Sequence, residues 1–429
     1  MTTFLQLHLL TSYPPACLNR DDLNRPKTAM LGGVPRLRVS SQSLKRAWRT
    51  SESFKEAVSG QTGIRSKEIA RRIRDSLLSG VPLSTLVAPN APKIEPDGKV
   101  SESNAISWAL MIASEYVDKK TQGGKAESEE ESPEETEEQA DKKKVKGNAK
   151  NTKKESKNIS KETLKSEQVV FYSKEEVTAL DNLIKSLREN PKEPTKEQLK
   201  TIKVKDAGGA TDLALFGRML ASSPDFNVEA ACQVAHAVTV HRAAVEDDFF
   251  TAVDDLNTRE EDAGSAHMGE QGFGAGLFYL YVCIDCDSLK ANLGGDDKAG
   301  ELAGKAIGAL IDSAAKVAPT GKQNCFASRA YSFYGLLEKG SRQPRSLSLA
   351  FVKPVKASHE DGNGMLVDAI NALETMRNNM DKVYHGKEET GEDGKKIRVP
   401  DFLPSRAFNA VTGEGSFAEL LDWAVSEEP

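Results

Sequence analysis

The segment from Thr121 to Ser166 sets the strongest limit on how this chain can fold. Nine acidic residues and no basic ones lie between Glu127 and Asp141, and ten lysines with two glutamates lie between Lys142 and Lys165. The segment has no aromatic residues and few branched aliphatic ones, so it cannot bury enough apolar surface to offset the entropy lost on ordering. We therefore expect residues 121–166 to be a disordered charged insertion that interrupts the folded part of the chain.

Hydrophobic periodicity on both sides of this insertion predicts interleaved strands and helices. Apolar runs with β-forming residues predict strands over residues 4–10, 35–39 and 277–285. Helical spacing predicts helices over residues 66–79, 104–117, 228–242, 298–317 and 365–379. Capping boxes of the form S-x-x-E predict two more helix starts, at Ser173 and Ser416. The pattern favours an α+β core, and no internal repeat of solenoid length is visible.

Composition excludes several classes of protein. No stretch approaches 18 uninterrupted apolar residues, so a transmembrane helix is not predicted. The N-terminal residues lack the basic and apolar regions of a signal peptide, so we expect a cytoplasmic protein. Five cysteines in 429 residues are an odd and sparse set, which argues against a disulfide scaffold.

The densest local signal is a basic helix near the N-terminus. Residues 36–49 contain five basic side chains and no acidic one, although the whole chain has a net charge of −6. A short strand leads into a serine pair that can cap the helix. Leu44 and Trp48 are four apart and would anchor one face, and Lys45 and Arg49 share a neighbouring face. This arrangement can bind adjacent phosphates of a nucleic acid; a solvated basic face is the alternative interpretation.

Two acidic residues follow the first strand. Asp21 and Asp22 could bind a metal ion in a nuclease, or they could cap the loop that follows them. No further carboxylate or histidine lies nearby in the sequence, so we expect neither a metal site nor a cofactor.

A protruding hairpin is predicted in the middle of the chain. Residues 247–255 and 264–269 flank a polar stretch between two β-like runs. Phe249 and Phe250 are adjacent, so a strand would expose one of them for contact with bases, unless both are buried at the hairpin base. His267 has no partner at a useful spacing, which favours a turn histidine over a general base or ligand.

An ordered series of motifs in residues 1 to about 325 resembles one known family. The series closely resembles the CasC family, the backbone subunits of type I-E CRISPR surveillance complexes (Cascade) in the RAMP superfamily. The charged insertion departs from the family pattern, and the region beyond Ser328 resembles it only loosely. The matching motifs are Cys17–Asp22 (CLNRDD), Ser40–Ala47 (SSQSLKRA), Ala214–Met219 (ALFGRM), Val234–Ala237 (VAHA), Phe250–Asp255 (FTAVDD), Ser265–His267 (SAH), Leu293–Gly295 (LGG) and Gly321–Gln323 (GKQ).

The resemblance implies an α+β fold likened to a right hand. Its palm is a modified RRM (ferredoxin-like) sheet, with a helical fingers insertion and a β-hairpin thumb. The first part of the palm would comprise residues 1–59, the fingers 60–230, the thumb 243–276 and the second part of the palm 277–429.

The resemblance also implies a function. Members of the family are not enzymes; they oligomerise along CRISPR RNA, six copies in the family, and present its bases for pairing with target DNA in antiviral defence. Cutting belongs to a recruited helicase–nuclease. The implied partners are CRISPR RNA (crRNA), the paired target DNA, further copies of the chain and the Cascade subunits CasA, CasB, CasD and CasE, with no membrane and no cofactor.

Site residues are carried over from the matched positions. Phosphate contacts fall on Arg20, Lys45 and Arg49, with Ser40, Gln42 and Arg46 as helpers. Met219 from the fingers and Phe250 from the thumb would lie beside displaced bases. The set of RNA-binding residues is completed by Arg218, His267, Lys322 and Gln323.

Two other functions stay open at this point. Related backbone subunits of type III systems are metal-dependent ribonucleases that cut with a loop aspartate, which Asp21 or Asp22 could supply. A general single-strand binding protein is the third possibility. The three differ in whether they cleave RNA with Mg²⁺ and in whether they need a CRISPR guide.

Overall fold

A mostly antiparallel arrangement of strands lies at the centre of the computed structural model, which describes residues 2–88, 90–117, 164–166, 168–220, 223–252, 267–356, 364–390 and 396–426. Its strands are β1 (Phe4–Ala16), β2 (Thr28–Leu31), β3 (Val34–Val39), β4 (Ile64–Ser66), β5 (Val170–Tyr172), β6 (Cys232–Val234), β7 (Ala237–Thr239), β8 (Glu246–Ala252), β9 (His267–Asp285), β10 (Ser332–Gly340), β11 (Lys387–Thr390), β12 (Lys396–Val399) and β13 (Ser405–Asn409).

The helices lie between these strands in the chain. They are α1 (Ser41–Thr50), α2 (Glu52–Ala57), α3 (Ile69–Ser79), α4 (Leu83–Leu86), α5 (Glu102–Ala113), α6 (Lys174–Glu189), α7 (Lys196–Lys200), α8 (Thr211–Phe216), α9 (Cys286–Asn292), α10 (Asp297–Lys316), α11 (Gln323–Phe326), α12 (Gly364–His385) and α13 (Phe417–Val425), with short 3₁₀ turns at Pro224–Phe226 and Ser348–Phe351. Among the described residues, none of these helices is both long and apolar enough to cross a membrane.

One large antiparallel sheet contains nine of the strands of the described residues, in the order β13-β10-β1-β9-β7-β3-β2, with β6 and β8 also paired to β9. Strand β1 lies between β9 and β10, and Leu7 pairs with Val282 on one side and with Leu337 on the other. The side chains of residues 5–11 of β1 are buried on both faces, because each face of the sheet is covered there by helices. The sheet is therefore the common core of the fold.

The two faces of the sheet have different coverings. Leu5, Leu7 and Leu9 point to a core that also contains side chains from α1, α2, α8, α10 and α13. Leu10 and the β9 tyrosines point to the opposite core, which is closed by α12 and by the turn at Ser348–Phe351. The period of two along a strand places alternate residues in the two cores.

A third core lies among the helices that follow the first part of the sheet. Helices α3, α5 and α6 bury Ile73, Trp108 and Leu180 against one another, and the short β4–β5 pair joins residues 64–66 to residues 170–172. Helix α6 begins with the predicted capping box, in which the Ser173 hydroxyl accepts the Glu176 N–H and the Glu176 carboxylate accepts the Ser173 N–H. This cluster lies within the predicted fingers range, but the palm, fingers and thumb boundaries remain predictions.

The structure confirms the α+β class and most of the predicted elements. Strands cover residues 4–10, 35–39 and 277–285, and α3, α5, α10 and α12 lie where helical spacing placed them. Ser416 caps α13 by accepting the Glu419 N–H. The predicted hairpin exists as β8 paired with the start of β9. The predicted insertion at residues 121–166 lies mostly outside the described residues.

The helix predicted over residues 228–242 is wrong. The structure has strands β6 and β7 there, both paired with β9, and Val238 pairs with Tyr279. The run is rich in alanine and valine, so its apolar residues fit a helical period as well as a strand period. The edge of β9 decides the outcome, since strand preference depends on the neighbours that a strand finds.

Candidate nucleic-acid interface

Helix α1 forms directly after β3 and is held firmly to the sheet. The Ser40 hydroxyl accepts the Ser43 N–H at 3.4 Å, and the Ser40 N–H donates to the Asn19 side-chain oxygen at 2.9 Å. Leu44 and Trp48 are buried in the main core. The predicted cap and the predicted anchors are therefore in place, and α1 is a rigid ridge on the surface of the sheet.

The polar residues of α1 divide between two grooves on its two sides. We call the first the small groove; it has a volume of about 260 Å³ and contains Gln42, Lys45 and Arg49 of α1. It is also lined by Arg65, Val169, Phe171, Phe216, Gly217 and Met219 and by part of Arg218. The other is the large groove, of about 710 Å³, which contains Ser43 and Arg46 of α1. The predicted helix residues thus lie on both sides of α1.

Two cations of the small groove rest on aromatic rings. The Lys45 ammonium lies 5.4 Å from the centre of the Phe216 ring, and the Arg49 guanidinium lies 5.5 Å from that of Phe171. Burial lowers the pKa of Arg49 from its ordinary value. The groove is therefore a cationic site with apolar walls.

Met219 stands at the edge of the small groove and is 84% exposed. An exposed apolar side chain of this size beside three cations is suited to contact with a base whose phosphate the cations bind. The predicted contact of Met219 with a displaced base stays a prediction.

Arg218, which precedes it, is a correction to the predicted set. Its side chain is 1% exposed and its Nη1 pairs with Glu176 at 2.6 Å. Further hydrogen bonds from its guanidinium go to the carbonyl oxygens of Phe171, Val204 and Phe226. A phosphate cannot reach a guanidinium enclosed in this way, so Arg218 has a structural role in place of the predicted RNA contact.

Arg36, the first cation of the basic run, is also buried. Its guanidinium donates to the carbonyl oxygens of Leu31, Thr239, Phe351 and Val352, at 2.8 to 3.3 Å. These bonds fasten the 3₁₀ turn at Ser348–Phe351 to the edge of the sheet. The basic run therefore contributes fewer surface cations than its composition indicates.

The large groove brings together residues that are far apart in the sequence. Arg20, Arg46 and Gln323 line it together with Arg329. The loop that carries Gln323 packs closely on the chain after β1, since a Cβ at Gly321 would lie 2.5 Å from the Leu18 carbonyl oxygen. That close approach places the predicted GKQ loop next to Arg20.

The two aspartates that follow β1 have different surroundings. Asp21 closes its own loop, because its Oδ1 accepts the N–H groups of Leu23 at 3.0 Å and of Arg25 at 2.9 Å. Asp22 is exposed. Across the described residues, no group of three or more His, Cys, Asp or Glu side chains is placed to hold a metal ion.

The β8–β9 hairpin carries the predicted thumb residues. Phe249 is 61% exposed and Phe250 is 39% exposed. The Phe250 ring covers Gly269, its partner across the hairpin, where a Cβ would lie 2.6 Å from the ring. Residues 253–266 and the side chain of His267 lie outside the described part of the chain, so the predicted role of His267 stays a prediction.

The base of the hairpin is attached to the large-groove side of the protein. Lys322 donates to the Gln271 side-chain oxygen at 2.7 Å, and Arg25 pairs with Asp247 at 3.1 Å. Lys322 has a positive φ of 46°, a conformation that is unfavourable for a non-glycine residue. The hydrogen bond from its ammonium to Gln271 connects the GKQ loop to the hairpin in this structure.

Sequence reasoning missed Arg65 and Arg329, which line the small and the large groove. Neither residue belongs to a basic run or to one of the recognised motifs. Strand pairing brings Arg65 to α1, although it lies 16 positions after Arg49 in the sequence. Loop packing brings Arg329 to the same helix from 280 positions after Arg49. No local pattern reveals such residues.

The sequence of this chain matches a known protein family. A family model described as CT1975-like protein matches residues 5–107 and 111–395. The chain belongs to the CT1975-like protein family. No curated protein matches the chain.

Solved structures share the fold of this CT1975-like protein. One is a chain of a "CRISPR RNA-guided surveillance complex, pre-nicking", with 24% identity and a TM-score of 0.66, covering 98% of this chain and 99% of that chain. Another is a chain of a "CRISPR RNA-guided surveillance complex", with 20% identity and a TM-score of 0.51, covering 98% of both chains. At these identities the likeness shows a common fold along nearly the full length.

Proposed function

We propose that this CT1975-like protein is a backbone subunit of a CRISPR RNA-guided surveillance complex of the type I-E (CasC) kind. It binds the CRISPR RNA by its phosphates and leaves the bases free to pair with target DNA. The observation that carries the proposal is the position of α1 as a ridge with cations in the grooves on both sides. The fold shared with chains of such complexes and the ordered motifs support it.

The side chains at α1 suit a polymer of arbitrary sequence. Lysine and arginine bind phosphates without reading bases, so affinity comes from the backbone, and specificity passes to base pairing. The side chains of Lys45, Arg46 and Arg20 form no ion pair within the described residues, so phosphates can compensate their charge. Helix α1 also has no acidic residue in its first turn, which favours an anion near its N-terminal N–H groups.

The proposal includes a non-catalytic role. Asp21, one of the two candidate catalytic aspartates, uses Oδ1 to close its loop, and this supports a structural function for it. The partners would be CRISPR RNA, target DNA paired to it, further copies of the chain and the other Cascade subunits.

The test is purification of the complex with its RNA. The full chain is co-expressed with the partner subunits and a CRISPR array, the complex is purified through a tag on another subunit, and the bound RNA is extracted and sequenced. We expect RNA of uniform length that contains spacer sequence. The proposal is wrong if the chain is absent from the complex or if the RNA is a random sample of cellular transcripts.

A second experiment distinguishes the proposed function from that of a metal-dependent ribonuclease. The purified complex is incubated with complementary RNA and Mg²⁺, alongside a complex that carries Asp21→Ala and Asp22→Ala. We expect no cleavage from either. Regular cleavage that the double variant loses would identify a metal-dependent ribonuclease instead.

A further inference from the structure

The small groove contains an arginine that neither the basic run nor the motifs include. The β4–β5 pairing sets Arg65 opposite Phe171. The guanidinium carbons of Arg65 and Arg49 lie 5.7 Å and 5.5 Å from the centre of that same ring. One aromatic ring thus supports two guanidinium groups, one from the main sheet region and one from the helical cluster.

A buried carboxylate connects the two arginines. Asp212 at the start of α8 has a fully buried side chain, and its Oδ2 accepts a bond from Nη1 of Arg49 at 3.4 Å. Its Oδ1 accepts the Gly63 N–H at 2.7 Å, and Gly63 lies two residues before Arg65. Thr211 adds two bonds to the Gln61 carbonyl oxygen, from its N–H at 2.9 Å and from its hydroxyl at 2.6 Å. Residues 211–212 therefore hold both Arg49 and the segment that leads to Arg65.

The charges of this cluster do not cancel. Arg49, Arg65 and Lys45 supply three positive charges, and Asp212 supplies one negative charge. The Arg49 Nη2 and the whole Arg65 guanidinium donate to no other described residue. Both arginines thus keep donors for an anion, and the fork geometry of a guanidinium matches phosphate oxygens.

We propose that Arg49 and Arg65 form a paired phosphate-binding site in the small groove and that Asp212 is its positioning residue. The ligand is a phosphodiester of single-stranded RNA, so this inference rests on the proposed function. Asp212 does not touch the phosphate. It holds Nη1 of Arg49 while Nη2 stays unpaired among the described residues of the groove, and it fixes the distance to Arg65 through Gly63.

Asp212 could instead compete with RNA for Arg49, and the two roles predict opposite changes in RNA affinity when Asp212 is removed. A carboxylate 3.4 Å from Arg49 could compete with a phosphate for the same guanidinium. In that case its removal would tighten RNA binding. In the positioning role its removal loosens Arg49 and weakens binding.

The first experiment tests Arg65. Binding of the full chain to a fluorescent single-stranded RNA of mixed sequence is measured by anisotropy over a series of KCl concentrations. Each lost phosphate contact should flatten the slope of log K against log [KCl] by about 0.7. We expect that loss for Arg65→Ala and for Arg49→Ala. Arg72→Ala, on α3 and outside both grooves, is the control and should keep the wild-type slope.

The second experiment tests Asp212 with Asp212→Asn, which keeps the size of the side chain and removes its charge. We expect its slope to match that of Arg49→Ala, with no further change when the two substitutions are combined. Additive losses would mean that Asp212 acts independently of Arg49, and tighter binding would mean competition. Either result overturns the positioning role, and an unchanged slope for Arg65→Ala overturns the paired site.

If Asp212→Asn does not fold, the role of Asp212 is tested by measuring RNA binding of the wild type and of Arg49→Ala as a function of pH. Arg49 is the charged group that acts directly on Asp212, and Arg65 and Arg46 act on Arg49. Protonation of Asp212 should weaken RNA binding in the wild type between pH 7 and pH 5 more than in Arg49→Ala. Identical profiles would contradict the inference. If the wild-type chain itself shows no salt-dependent RNA binding, the proposed function fails; wild-type binding with unaffected variants refutes the inference alone.

Discussion

Arg218 and Glu176 form an ion pair that is almost completely buried, with 2.6 Å between Nη1 and Oε2. Glu176 also accepts the Ser173 N–H and the Val204 N–H, so the pair joins the motif that carries Met219 to the start of α6. The buried ion pair therefore holds in place the segment that carries the exposed Met219 side chain.

Loss of the Arg218 guanidinium should destabilise the fold strongly. Arg218→Met leaves the Glu176 carboxylate buried without its cation, which typically costs about 3–5 kcal/mol. The free energy of unfolding in urea measures the effect, and Arg72→Met on α3 is the matched control. A loss below about 1 kcal/mol would show that Arg218 is not the structural residue described above.

Cations on the two sides of α1 should contribute separately to RNA binding. Lys45 lies in the small groove and Arg46 in the large groove. Lys45→Ala and Arg46→Ala should each flatten the salt dependence by about 0.7, and together by about 1.4. Anisotropy titrations in KCl provide the measurement. If the double variant loses no more than one single variant, a strand contacts only one side of the helix.

Removal of the anchor under α1 should affect stability first. Trp48 is fully buried, and truncation of a buried aromatic residue costs about 3–5 kcal/mol. Trp48→Ala should lower the free energy of unfolding by that amount, as measured by denaturant titration. Ala47→Ser, one position along and partly buried, is the control and should stay close to the wild type.

Asp212 should give the stability a recognisable pH dependence. Burial raises its pKa from 3.8 to about 6, so the folded state binds this proton more tightly than the unfolded state does. The resulting stabilisation is complete below pH 3.8 and is lost as the pH rises through 6. The free energy of unfolding of Asp212→Asn, relative to the wild type, should therefore rise by about 2 kcal/mol from pH 4 to pH 7.5.

The difference in unfolding free energy between Asp212→Asn and the wild type removes the contributions of the other titrating groups, because both proteins contain them. Glu338 has a lowered pKa, because the Arg345 guanidinium and the nearby His8 ring outweigh the effect of burial, but it is present in both proteins. A difference between the two proteins that does not change with pH would show that Asp212 is charged throughout this range.

Local spacing was sufficient to predict α1, because cap, anchors and cations all lie within one helix. Leu44 and Trp48 are buried, as the four-residue spacing predicts. The error at residues 228–242 has a tertiary cause, since the unpaired edge of β9 selects strands from an ambiguous run.

The site was predictable only where its residues are close in the sequence. The partner that makes Arg218 structural, Glu176, lies 42 residues away. Asp212 lies 163 residues from Arg49, which it contacts. Such pairs depend on how the helical cluster packs against the sheet, and hydrophobic periodicity contains no information on that packing.

The attachment of α1 by Leu44 and Trp48 has a consequence for the length of the bound polymer. A strand that contacts both grooves must pass over one helix, whose width with side chains is about 10–12 Å. Because the core fastens that helix, the crossing has the same width whatever the order of the nucleotides. Under the proposed function, each molecule would therefore cover a constant length of the guide RNA.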